Sequence, residues 1–123
     1  MKLVYFSLTG QTRRFVAKTG LPHLEISQTN PFIDVDEPFI LIVPTYEAEI
    51  TEPVWDFLDY GVNQSFLKGV IGGGNRNFAE LFIFTAKDIA KEYDTPILYE
   101  FEFNGTDEDV KYVQKVVKDF ESE

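Results

Sequence analysis

Phe39-Ile40-Leu41-Ile42-Val43 is an unbroken apolar run set between Asp36-Glu37-Pro38 and Pro44-Thr45. A strand with one wet face alternates apolar and polar side chains, whereas a strand covered on both faces does not. The run therefore predicts the central strand of a parallel sheet with helices on either side of it. Leu3-Val4-Tyr5-Phe6 reads the same way, as a buried strand that stops at Ser7-Leu8-Thr9-Gly10. Between the two lie a short helix from about Thr12, with Phe15, Val16 and Thr19 on its inner side, and an edge strand, Leu24-Glu25-Ile26. Gly20-Leu21-Pro22 halts that helix, and the polar stretch from Ser27 to Glu37 reads as a surface connection.

Downstream of the central run, Pro44 to Glu52 is expected to be a loop, with Pro53 at the first position of a helix reaching about Tyr60. Val54, Phe57 and Leu58 form its core stripe. Val70-Ile71, lengthened by Leu67 and Gly69, reads as a fourth strand that Gly72-Gly73-Gly74 ends. From Ala79 onward Phe82, Ile83, Ala86, Ile89, Ala90 and Tyr93 recur at helical spacing, while Leu81 and Phe84 fall off the stripe. Pro96 to Phe103 is a fifth strand. Thr106-Asp107-Glu108-Asp109 then supplies a hydroxyl cap and an acidic first turn to a helix that buries Val110, Val113, Val117 and Phe120. Five strands alternating with helices predict an α/β domain whose parallel sheet is covered on both faces.

At 123 residues and 44% hydrophobic content, the chain is expected to form one domain over residues 1–123. The absence of cysteine excludes disulfides, zinc–thiolate sites, iron–sulfur clusters and cysteine nucleophiles. A single histidine, His23, rules out a histidine-cluster metal site, and no role is assigned to it. The formal charge of −10 argues against nucleic acid and anionic membranes, since both are bound through cationic side chains. It fits a basic partner protein and equally a simple need for solubility. The apolar run Leu3 to Phe6 is too short for a signal-peptide core or a membrane span, so a cytoplasmic location is expected.

Ligands of an open parallel sheet bind beyond the carboxyl ends of its strands, where neighbouring connections diverge. A strand order of 2-1-3-4-5 would bring three such loops into one crevice: Ser7 to Thr12, Thr45 to Glu52 and Gly72 to Phe78. The first offers the hydroxyls of Ser7, Thr9 and Thr12, the flexible Gly10 and the free N–H groups of a helix start, which together suit a phosphate monoester. No Gly-x-x-x-x-Gly-Lys-Ser/Thr or Gly-x-Gly-x-x-Gly string occurs, so ATPase chemistry and ordinary dinucleotide binding lose support. The same hydroxyls could instead serve only to cap the helix. The glycine triplet implies a sharp bend or a backbone laid against something flat, such as a planar ring. Asn75, Arg76 and Asn77 would meet that ring's edge, and Tyr46 and Phe78 its faces, although each aromatic read singly fits core packing as well.

Taken together these strings resemble the flavodoxin superfamily and, within it, the NrdI family. Ser7-Leu8-Thr9-Gly10-Gln11-Thr12 resembles the general flavodoxin phosphate loop. More particular to the NrdI family are Asp36-Glu37-Pro38-Phe39 running into Ile42-Val43-Pro44-Thr45-Tyr46, Gly69-Val70-Ile71 running into Gly74-Asn75-Arg76-Asn77-Phe78, and Pro96 through Thr106. The resemblance implies a flavodoxin-like three-layer sandwich that binds FMN. Its reduced flavin would pass electrons to dioxygen and deliver a superoxide-level oxidant to the dimanganese small subunit of class Ib ribonucleotide reductase, enabling tyrosyl-radical assembly. It also implies a flavin reductase or other electron donor.

By the same resemblance Ser7, Thr9, Gly10, Gln11 and Thr12 hold the phosphate, Thr45 and Tyr46 flank the ring, and Gly73, Gly74, Asn75, Asn77 and Phe78 approach it from the other side. A carbonyl of the glycine loop would be free to rotate towards the reduced flavin. One departure concerns the loop after Thr45-Tyr46. Many relatives carry several glycines there, whereas this chain has Glu47-Ala48-Glu49-Ile50-Thr51-Glu52. Its carboxylates, Glu47 among them in the expected cofactor loop, either tune the flavin or lead, solvated, into a helix N-terminus. An ordinary electron-transfer flavodoxin and a non-redox phosphate-binding regulatory domain are the competing readings. Arg13 and Arg14 stand ready either for the phosphate or for nearby carboxylates.

Overall fold

The computed structural model describes residues 1–122. Strands β1 (Lys2–Phe6), β2 (His23–Ile26), β3 (Phe39–Val43), β4 (Leu67–Gly74) and β5 (Ile97–Glu102) form one parallel sheet of order β2-β1-β3-β4-β5. The helices are α1 (Gln11–Thr19), α2 (Ala48–Asp59), α3 (Phe84–Glu92) and α4 (Asp107–Glu121). The two-sided cover is what the apolar runs predict, and the order 2-1-3-4-5 is the one that brings the three loops together. All five residues of β3 are buried, and they alternate between two cores. Phe39, Leu41 and Val43 meet Val54, Phe57 and Leu58 of α2 and Ala86 and Ile89 of α3; Ile40 and Ile42 join Phe15 and Val16 of α1 and Val113 and Val117 of α4. Each such side chain contributes about 1.5–3 kcal/mol of burial, which is why the run tolerates no polar residue.

Helix ends follow local chemistry. Gly10 (φ 92°) and Gly20 (φ 67°) bracket α1 in left-handed conformations that side chains with a Cβ resist. Thr106 caps α4 in a reciprocal box with Asp109, each side chain accepting the other's backbone N–H. Although burial pushes Asp109 up, bonds from the Tyr99 hydroxyl and from Thr106 hold its carboxyl below the usual range.

Three elements depart from the sequence expectation. Helix α2 begins at Ala48 rather than Pro53, and Pro53 sits inside it, where it forfeits the bond to the Glu49 carbonyl four residues back and crowds that carbonyl, a cost offset by the buried stripe of Thr51, Val54, Phe57 and Leu58. Glu47 is its N-cap residue, and its carbonyl accepts the N–H groups of Ile50 and Thr51. Strand β4 runs on through Gly74 instead of stopping before the triplet. The apolar period from Ala79 is met by two pieces, a 3-10 turn over Arg76–Leu81 and then α3, with the buried Ile83 at φ 54° between them. The extra curvature lets Phe82 and Ile83 reach the sheet before the helix starts. At the chain end Glu121 accepts the Met1 ammonium at 2.7 Å rather than fraying, and Glu123 lies outside the described residues.

Candidate functional site

Residues leaving the carboxyl ends of β1, β3, β4 and β5 line a crevice of about 210 Å³. Helix α1 contributes Gln11 and Thr12, the β3 exit Pro44, Thr45 and Tyr46, and the β4 exit Gly73, Gly74, Asn75, Phe78 and Leu81. Phe103, just past β5, closes the far side. Eight of the thirteen residues expected at the site line this one crevice: Gln11, Thr12, Thr45, Tyr46, Gly73, Gly74, Asn75 and Phe78. Ser7, Thr9, Gly10, Glu47 and Asn77 stand outside its wall. Ser7 borders a second, more open hollow beside β2.

The anion-binding end is made of backbone. Gln11 and Thr12 open α1, so their N–H groups have no carbonyl within the helix to donate to. Ser7 Oγ accepts the N–H groups of Gly10 at 3.1 Å and Arg13 at 3.3 Å, which ties the loop into a compact turn and leaves the hydroxyl proton free to donate. Of the cations near the loop, Arg13 is turned to Glu25, whereas Arg14 keeps its guanidinium beside Gly10, with Nη1 3.0 Å from where a Cβ there would stand. Arg13 makes two bonds to the Glu25 carboxylate, at 2.8 and 2.6 Å, and Arg14 Nε donates to Asn104 Oδ1 at 3.2 Å. The carboxylate reading of Arg13 is therefore the one realised, and any phosphate here would meet helix N–H groups and their dipole first.

Glu25 also accepts the Tyr5 hydroxyl at 2.8 Å. The Arg13 guanidinium, helped by Tyr5, holds the Glu25 carboxyl below its usual value, while burial and then the Glu25 carboxylate push the Tyr5 phenol up to about 12. A lowered carboxylate adds stability above its unfolded pKa and loses it as pH falls through the folded value. The raised phenol adds stability below its ordinary pKa of 10.0 and loses it as pH rises through about 12. Thermal melts across the acid range should show a shallower loss of stability in Glu25→Gln than in the parent. The difference should be small, because the pair is largely exposed, and an identical acid slope would contradict the assignment.

At the ring-binding end, Phe78 and Phe103 are 62% and 50% exposed, so neither serves the core and both are free to cover a planar ligand. The glycines prove to be packing devices. A Cβ on Gly73 would stand 2.8 Å from the Phe101 ring, and one on Gly72 would stand 2.8 Å from Cβ of both Ala86 and Ile83. The flat object against Gly73 is thus Phe101, on the side opposite α3. Their carbonyls are also occupied: Thr45 Oγ1 donates to Gly73 O at 2.7 Å, and the Phe103 N–H donates to Gly74 O at 3.3 Å. Rotating either carbonyl towards a ligand would break that bond.

Beyond the triplet, Asn75 Oδ1 accepts the Asn77 N–H at 2.9 Å and shapes the turn. Arg76 is drawn away to β5, its N–H and guanidinium both on the Glu102 carboxylate and its side chain over the Phe82 ring. Glu47, Glu49 and Glu52 are exposed along the start of α2, outside the crevice wall, which is the solvated helix-terminus placement. Pro44, Leu81 and Phe103 were not singled out by sequence, although Phe103 ends a predicted strand at the edge where ligands bind. Thr85, whose hydroxyl holds the Tyr46 backbone, carries no sequence signal at all.

The family model described as NrdI flavodoxin-like matches residues 3–115. Among curated relatives, Protein NrdI of Bartonella quintana (strain Toulouse) is 42% identical over 121 residues, covering 94% of this chain and 92% of that protein. Protein NrdI of Ruegeria sp. (strain TM1040) is 40% identical over 114 residues, covering 88% and 81%. A solved structure of a short-chain flavodoxin associated with a bacterial microcompartment superposes with a TM-score of 0.69 at 19% identity, covering 95% of this chain and 93% of that one, a likeness of fold alone. With this architecture and relatives at about 40% identity along nearly its whole length, the chain belongs to the NrdI flavodoxin-like family.

Proposed function

We propose that residues 1–123 act as one FMN-binding domain that reduces dioxygen to a superoxide-level oxidant and delivers it to the dimanganese small subunit of class Ib ribonucleotide reductase. The observation that carries the reading is the crevice itself: free N–H groups of α1 at one end, aromatic faces and a glycine wall at the other, in a chain of this family. When bound, the flavin supplies the redox chemistry, accepting electrons from a flavin reductase or other donor and passing them to dioxygen. Gln11 and Thr12 would hold the phosphate through backbone N–H groups, with Gly10 giving the turn its left-handed backbone and Ser7 and Thr9 adding hydroxyls. Tyr46 and Phe78 would cover the ring, Thr45 would brace the wall of Gly73 and Gly74 behind it, and Asn75 and Asn77 would shape the turn at its edge. No protein acid or base is required. Among the described residues no helix is long and apolar enough to cross a membrane, and the proposal places the protein in the cytoplasm beside the reductase.

Comparing FMN with riboflavin, which lacks the phosphate, tests the site. FMN should bind at least about a hundredfold more tightly, since a phosphate held by several charge-assisted bonds is worth roughly 3 kcal/mol or more. Gly10→Val, which forces a β-branched residue to φ 92°, should erase most of that preference while sparing riboflavin affinity. Equal affinities for the two compounds in the parent protein would contradict the site.

A further inference from the structure

We propose that Thr85 is a positioning residue for the flavin: its hydroxyl clamps the Tyr46 backbone and so sets where the β3 exit stands against the bound ring. The inference rests on the FMN reading above. Thr85 is 3% exposed, at the second position of α3. Its Oγ1 accepts the Tyr46 N–H at 3.2 Å and donates to the Tyr46 carbonyl at 3.0 Å, closing a two-bond ring with the backbone of a residue 39 positions away in sequence. A threonine inside a helix commonly turns its hydroxyl onto a carbonyl one turn back. The preceding turn is absent here, because α3 starts at Phe84, and the hydroxyl reaches across to the neighbouring element instead.

The clamp has a fixed base. Ala86, next in the helix, and Ile83, just before it, press on Gly72 so closely that a Cβ there would stand 2.8 Å from each. Thr85 is therefore registered to the sheet, and through it Tyr46 is too. Thr45 fixes the same segment from a second direction by its 2.7 Å bond to Gly73 O. Both backbone polar groups of Tyr46 are bonded to Thr85 in this way, so the clamp sets where Tyr46 stands in the crevice wall. Removing the hydroxyl leaves an N–H and a carbonyl without partners in a half-buried place, and the segment must shift to find water or ligand atoms. A shift there moves the part of the crevice wall that Tyr46 forms.

Thr85→Val keeps the branched shape and deletes the hydroxyl, whereas Thr85→Ser keeps the hydroxyl. For each, FMN affinity, the midpoint potential of the bound flavin and its visible circular dichroism should be measured beside the parent. We expect Thr85→Val to bind FMN at least about tenfold more weakly, with a displaced potential and an altered dichroic spectrum. Thr85→Ser should stay within about threefold of the parent and keep its spectrum. A folded Thr85→Val with parental affinity, potential and spectrum, even if less heat-stable, would overturn the proposal, as would a Thr85→Ser as impaired as the valine variant. Should Thr85→Val fail to fold, Thr85→Ala removes the same hydroxyl without pressing a methyl on the Tyr46 amide, and the same outcomes decide. A parent chain that takes up no FMN overturns the proposed function together with this inference, so the unmutated control separates the two failures.

Discussion

Gly105→Ala should lower the thermal midpoint by on the order of 10 °C and loosen the phosphate end of the crevice with it. Gly105 joins β5 to α4 at φ 72°, where any Cβ is strained. That Cβ would also stand 2.3 Å from the ring of Phe15. Phe15 cannot yield, because it is fully buried and stacked on Phe101 with ring centroids 4.1 Å apart. Backbone strain of about 1 kcal/mol and overpacking of about 2 kcal/mol give a loss near 3 kcal/mol. The effect reaches the site because Phe15 belongs to α1, whose first turn forms the anion-binding end. Thermal melts with and without FMN check it. A parental midpoint would mean that Phe15 is far freer than its packing implies.

The second large effect is expected at Gly73. Gly73→Val should cost about 3 kcal/mol or more and abolish FMN uptake by whatever protein remains folded. Its side chain would enter the space of Phe101, 1% exposed and wedged against Phe15, so the strand must move or the ring must. Either movement displaces the carbonyl that Thr45 holds and the wall that Gly73 gives the crevice. Chemical denaturation and FMN titration of the same preparation separate the two losses. Undiminished FMN affinity in a folded Gly73→Val would show that this wall does not touch the cofactor.

The sheet was legible because burial on both faces leaves a direct trace in Phe39 to Val43 and Leu3 to Phe6, whereas its order entered only as the condition under which the three loops would meet. The phosphate end was legible because Gly10 and the helix start are adjacent in sequence. Boundaries were harder to read wherever a strong local signal lost to tertiary packing. Pro53 reads as a helix start, yet the acidic turn before it is helical too, because the buried stripe of Thr51, Val54, Phe57 and Leu58 outweighs the proline's cost. The glycine triplet reads as a stop, yet it continues β4 because helix and ring crowd it from both sides. Thr85 was invisible for a different reason: a hydroxyl that serves a backbone 39 positions away leaves no pattern in its neighbours.

Oxidant delivery is the central claim, and one measurement addresses it directly. The FMN-loaded protein is reduced without oxygen, mixed with the manganese-loaded small subunit of the class Ib reductase from its own organism, and exposed to oxygen while tyrosyl radical is followed by electron paramagnetic resonance. The account predicts radical that depends on this protein, on FMN and on its reduction. Rapid reoxidation with no radical above the level of free reduced flavin would contradict it and leave an electron carrier in its place.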